Sequence, residues 1–128
     1  GYSSPTIRVG NLDSMRTFAD VRDATRAYYM LTTINPTPGE FYNIGGSYSC
    51  TVGEMLEYLL SRSTIKNFSI ETDPERLRPI DADLQIPSTE KFKAHTGWAP
   101  EITFEQTMND LLDYWRSRIT IEGESIIR

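Results

Sequence analysis

The chain is poor in the residues that carry most redox and metal chemistry. Its 128 residues include one cysteine, Cys50, and one histidine, His95. A lone thiol cannot close an internal disulfide, so a reducing compartment, the cytoplasm, is the expected location. Structural zinc sites take four Cys or His ligands, and this composition does not supply them. A Ser-His-Asp triad would have to use His95, which the pattern places at the end of a short helix, where a cation suits the dipole. Basic charge is also short, with 13 Lys and Arg against 18 Asp and Glu and a net charge of −5. Nucleic acid needs a basic stripe, so no nucleic-acid partner is expected. A small phosphate ligand is not excluded, because one or two well-placed arginines suffice. No apolar run approaches the roughly 20 residues of a membrane helix, and no signal pattern opens the chain. The glycine-rich turns G-x-G-x-x-G and G-x-x-G-x-x-G are missing, as is the Walker A phosphate loop. No tyrosine has a lysine four residues later. Tyr58 has Arg62 and Tyr114 has Arg118 there, both pairs on predicted amphipathic helices, and both read as surface packing.

What remains is an ordinary globular composition, 38% hydrophobic and 24% charged. The length fits one domain and buries roughly two-thirds of its unfolded surface. Residues 1–6 lack a packing pattern and read as an edge or linker. Ile7 to Val9 predicts a strand ended by Gly10-Asn11. Thr17 to Ala19 is a second extended piece, and Asp20 is placed to cap a helix over Val21 to Thr32. Phe41 to Ile44 predicts a third strand, closed by Gly45-Gly46. Thr51 and Glu54 form a capping box for a helix over Val52 to Arg62. Phe68 to Ile70 reads as a strand and Asp73 to Pro79 as irregular. Ser88 is placed to cap a helix over Thr89 to Thr96, with Gly97 at its C-terminus. Thr103 and Gln106 form another capping box, for a last helix to about Ser117. Residues 119–128 are expected to form a tail without fixed structure. The fold class is α/β, mainly helical. Its strands are too few and short to make an independent sheet, which suggests that part of the fold lies elsewhere.

Three charged residues stand in unusual company. Arg16 precedes the second extended piece, Arg78 precedes Pro79, and Asp81 follows three residues after Arg78. Proline biases the residue before it toward an extended backbone and so limits where the Arg78 guanidinium can point. A planar, permanently charged fork suits a diphosphate, and Asp81 could accept from sugar hydroxyls. A surface salt bridge or solvated loop explains the same spacing, and spacing alone favours that reading. The i, i+3 carboxylate pairs Asp110/Asp113 and Glu54/Glu57 read as solvated helix faces.

Five segments occur in a consistent order: Ile7 to Asn11, Arg16 to Asp23, Gly39 to Gly46, Arg78 to Asp81, and Lys91 to Pro100. Together they resemble the C-terminal part of extended short-chain dehydrogenase/reductase enzymes acting on nucleotide sugars. Arg16-Thr17-Phe18-Ala19-Asp20-Val21-Arg22-Asp23 resembles the pattern R-D/T-F/W-x-x-V-x-D. Within the family the chain looks most similar to the branch of GDP-mannose 4,6-dehydratase and GDP-6-deoxy-mannose reductase, leaning to the dehydratase. The resemblance implies a two-part, homo-oligomeric enzyme. A Rossmann half binds NADP and supplies the catalytic Ser/Thr, Tyr and Lys. Residues 7–118 would be the substrate lobe, holding no cofactor and no catalytic residue, and inactive alone. By family pattern Arg16 and Arg78 would contact the diphosphate of GDP-mannose, Asp81 the ribose or sugar hydroxyls, and Asn11, more weakly, the nucleotide. In such a dehydratase the cofactor oxidises C4, water leaves across C5 and C6, and the hydride returns to C6. Four alternatives stand beside it: a reductase, another nucleotide-sugar epimerase fragment, a binding module without turnover, or an interaction or structural domain in which the arginines are ordinary surface charges.

Overall fold

The computed structural model describes residues 5–77 and 83–123. The chain divides into two compact units. The second comprises Met15–Cys50 and Leu84–Thr107, and the first is made by the described residues of the remaining segments.

In the first unit, β1 (Thr6–Val9) pairs in parallel with β4 (Ser69–Thr72), Ile7 opposite Ile70. Between them in sequence lies α2 (Val52–Ser61). Its capping box forms as the T-x-x-E spacing requires. The Thr51 hydroxyl accepts from the Glu54 amide at 3.0 Å, and the Glu54 carboxylate accepts from the Thr51 amide at 2.7 Å. After β4, Asp73 caps a single 3-10 turn over Pro74–Arg76. Most of α4 (Phe104–Glu122) also belongs here. It runs past the expected end at Ser117 because its last turns support themselves: Arg118 donates to Tyr114 Oη at 2.9 Å and pairs with Glu122 at i, i+4, while the Thr120 hydroxyl donates to the Arg116 carbonyl.

In the second unit, β2 (Met15–Phe18) sits between β3 (Tyr48–Thr51) and the two-residue β5 (Leu84–Gln85). β5 lies parallel to β2, with Met15 opposite Leu84 and Arg16 opposite Gln85. α1 (Val21–Thr33) starts where Asp20 was placed to cap it, the Asp20 carboxylate accepting from the Arg22 amide at 2.8 Å. α3 (Glu90–Thr96) ends at Gly97, whose φ of 76° is the left-handed conformation that glycine adopts without a Cβ penalty. Its cap differs from expectation: Thr89, not Ser88, holds the N-cap position, without a side-chain hydrogen bond.

Two strand assignments are corrected. Phe41 to Ile44 is not a strand, and β3 lies four residues further on. The apolar residues of that segment serve packing against α3. Tyr42 stacks at 5.4 Å from Phe92, and Tyr42 and Ile44 both pack on the core of Ala27, Phe92 and Trp98. The second extended piece, expected over Thr17 to Ala19, spans Met15–Phe18, starting two residues earlier and ending one earlier. Burying rings such as Phe92 and Trp98 removes about 150–250 Å² each from water and fixes where α1 and α3 meet.

Candidate functional site

The Arg16-to-Asp23 segment divides its labour along its length. Its C-terminal half builds scaffold. Asp20 is 5% exposed and Asp23 2% exposed, so each carboxylate must be satisfied internally. Asp20 accepts from the Arg22 side chain at 2.9 Å through both Nε and Nη2, and from the Thr107 hydroxyl at 2.8 Å. Asp23 accepts from Arg26 Nη2 at 2.8 Å and from the amides of Glu101 at 3.0 Å and Ile102 at 2.9 Å. Its backbone carbonyl accepts from Trp98 Nε1 at 3.2 Å. Asp23 thus joins the first turn of α1 to the chain that follows the Gly97-Trp98 turn.

These contacts displace both acidities. The Arg22 side-chain bonds hold Asp20 well below the usual carboxylate range, against burial that pushes the other way. For Asp23 burial is the larger single influence and raises the value. The Arg26 bond and the Ile102 and Glu101 amides together outweigh it and leave the carboxyl lowered.

The N-terminal half of the segment faces a ligand-sized space. Arg16, Thr17, Gln85, Ile86 and Pro87 line an open cleft of about 510 Å³. Arg16 Nη1 donates to the Met15 carbonyl at 2.8 Å, which restrains the guanidinium at the strand. Thr17 shares a 2.8 Å hydrogen bond with Ser49 on β3. Behind the cleft lies Gly45, where an added Cβ would come within 3.2 Å of Pro87 Cγ and 3.3 Å of Thr17 Cγ2. Among the described residues the lining holds one cation and no carboxylate, a balance that suits an anion.

Of the other residues singled out in the sequence, Asn11 is not in this lining. Its amide donates to Ser14 Oγ at 2.8 Å and its carbonyl accepts from the Asp13 amide, a local turn. Arg78 and Asp81 lie outside the described residues. His95 is a structural tie. Its Nε2 faces the carbonyls of Ile34 at 3.1 Å and Asn35 at 3.0 Å, so it carries the proton in the neutral ring, and Nδ1 accepts from Tyr42 Oη at 2.8 Å. The Tyr58–Arg62 and Tyr114–Arg118 pairs bond within their own helices. Among the described residues no cluster of three or more His, Cys, Asp or Glu could hold a metal ion, and no helix is long and apolar enough to cross a membrane. Two contributors escaped sequence reasoning. Asp23 had a signal, a carboxylate in the first turn of an apolar-faced helix. Gln85 had none, because a two-residue strand shows no period.

The fold is that of the C-terminal part of extended short-chain dehydrogenase/reductase enzymes. RMD from Pseudomonas aeruginosa, solved with NADPH, superposes with a TM-score of 0.79 at 28% identity, over 91% of this chain and 37% of that one. dTDP-glucose 4,6-dehydratase from Bacillus anthracis, solved with NAD, gives a TM-score of 0.74 over 96% of this chain and 37% of that one, at 24% identity, and bears on the fold alone. GDP-6-deoxy-D-mannose reductase of Pseudomonas aeruginosa is 30% identical over 122 residues, which are 95% of this chain and 40% of the relative. Residues 2–111 match the family described as GDP-mannose 4,6 dehydratase, and the chain belongs to that family of nucleotide-sugar dehydratases and reductases. It spans about two-fifths of the length of the relatives it matches.

Proposed function

We propose that this chain is the nucleotide-sugar-binding part of a GDP-mannose 4,6-dehydratase, with residues 7–118 as the substrate domain. The carrying observation is the Arg16 cleft, in which a restrained guanidinium meets an exposed carboxamide and an apolar wall, with no carboxylate among the described lining residues. Arg16 would take the diphosphate, joined by Arg78, with Asp81 on ribose or sugar hydroxyls and Asn11, as the weaker candidate, on the nucleotide. Binding energy from these non-reacting groups would position the hexose for chemistry performed elsewhere. The residues of this chain do not fit a nicotinamide dinucleotide, since its sequence has no glycine-rich turn to approach the pyrophosphate. NADP would therefore be held by a Rossmann half, and the lobe alone would not turn over substrate. A second reading, that the complete protein reduces GDP-4-keto-6-deoxy-mannose, draws on the reductase relative at 30% identity. Both readings share the diphosphate site.

Calorimetric titration of the chain with GDP-mannose and, separately, with NADP tests the division. Binding of the first without the second supports it, and tight NADP binding would overturn it. In the complete protein, Arg16→Ala or Arg78→Ala is expected to weaken nucleotide-sugar binding by about 1.5–3 kcal/mol, the scale of a hydrogen bond to a charged group. Unchanged affinity in both variants would remove the site assignment. With GDP-mannose as sole sugar, formation of a 4-keto product without net cofactor consumption favours the dehydratase. NADPH oxidation that requires the keto sugar favours the reductase.

A further inference from the structure

We propose that Gln85 is a second phosphate contact of the Arg16 cleft, a neutral donor acting beside the guanidinium on the same diphosphate. The proposal rests on the reading of the cleft just given and deepens it.

The argument begins with register. β5 pairs with β2 in parallel, and Arg16 stands opposite Gln85. Partners across a ladder project to the same face, on strands about 4.8 Å apart. A guanidinium and a carboxamide so placed can reach adjacent oxygens of one diphosphate. Within this chain, packing gives little account of this two-residue strand. Leu84 is 63% exposed and the following Ile86 52% exposed, so the strand buries almost nothing. The Gln85 carboxamide is itself exposed, and it has no hydrogen-bond partner among the described residues. Its amide nitrogen supplies two donors without adding charge. What holds the strand end in place is the chain behind it: Pro87 closes against Gly45 so tightly that a Cβ there would meet the proline ring at 3.2 Å. The cleft wall is therefore braced from within, and Gln85 is left facing solvent at its mouth.

The test measures GDP binding to the complete natural protein by calorimetry, and guanosine binding by chemical-shift titration. Gln85→Ala is expected to weaken GDP about three- to tenfold, the yield of one net hydrogen bond, and to leave guanosine unchanged. Gln85→Glu, of equal size but anionic, is expected to lose more. A double-mutant cycle with Arg16→Ala should be non-additive, because both side chains would hold one ligand group. Thermal midpoints of the Gln85 variants of this chain should match the parent chain, since the residue is exposed in it. If Arg16→Ala weakens GDP while both Gln85 variants bind as the parent does, this inference fails and the reading of the cleft stands. If Arg16→Ala also binds normally, the reading of the cleft fails with it. Equal loss of GDP and guanosine in Gln85→Ala would place the residue on the nucleoside and overturn the proposal.

Discussion

Replacing Asp23 with alanine is expected to destabilise the protein by about 3–5 kcal/mol, the cost of removing one partner from a buried ion pair. The carboxylate is 2% exposed and accepts from three donors: Arg26 Nη2 and the amides of Glu101 and Ile102. Alanine would leave the two amides without their acceptor. Arg26 would keep Glu101 at 3.2 Å and the Ala99 carbonyl, so its charge would not be wholly stranded. Natural domains are stable by only about 5–15 kcal/mol, so the effect is a large share of the total. Urea denaturation reads it as a lower midpoint at unchanged slope. A loss of about 1 kcal/mol or less, the scale of a surface ion pair, would show that the carboxylate does not hold the turn.

The same group has a pH signature. Asp20 and Asp23 both have folded values below the ordinary 3.8. A depressed folded value means that the unfolded chain takes up protons first. The stability these carboxylates contribute is complete above the unfolded value and is lost as pH falls from about 5 through the depressed folded values. Denaturation midpoints across that range should fall for the parent and fall less steeply for Asp23→Ala. Parallel acid limbs in the two proteins would rule the linkage out.

Gly46→Ala is expected to cost more than about 3 kcal/mol, beyond the usual range for overpacking. A Cβ at Gly46 would be driven into the Phe18 carbonyl, and backbone cannot swing aside as a side-chain tip can. The strand that would have to move is β2, which carries Arg16 and Thr17 of the cleft, so ligand affinity should fall together with stability. Gly45→Ala is the internal comparison. There the nearest atoms to the added one are side-chain carbons, Pro87 Cγ at 3.2 Å and Thr17 Cγ2 at 3.3 Å, and about 1 kcal/mol is expected. Equal midpoints for the two variants would contradict the close backbone approach at Gly46.

Local rules were legible in the sequence wherever one short stretch satisfies itself. The Thr51–Glu54 box, the Asp20 cap and the left-handed Gly97 need only neighbours a few residues away, and each sits where the sequence placed it. Phe41 to Ile44 misled because a short run rich in aromatic and branched residues before a glycine pair shows that side chains turn inward and not what the backbone pairs with. The Arg16-to-Asp23 segment was visible as a unit, yet its composition could not separate the arginine at the cleft from the aspartates that tie α1 down. That separation depends on which partners arrive from residues 99–107, nearly eighty positions away for Asp23.

The sequence by itself therefore determined the family and the main helices and singled out Arg16 and Arg78 for testing, because capping, periodicity and ordered motifs are short-range properties of the chain. Only the tertiary structure decided that Gln85 stands beside Arg16, that Asp23 is a buried clamp and that Gly46 admits no side chain. Each of those depends on distant backbone brought within a few ångströms, and no local pattern of residues encodes such a distance.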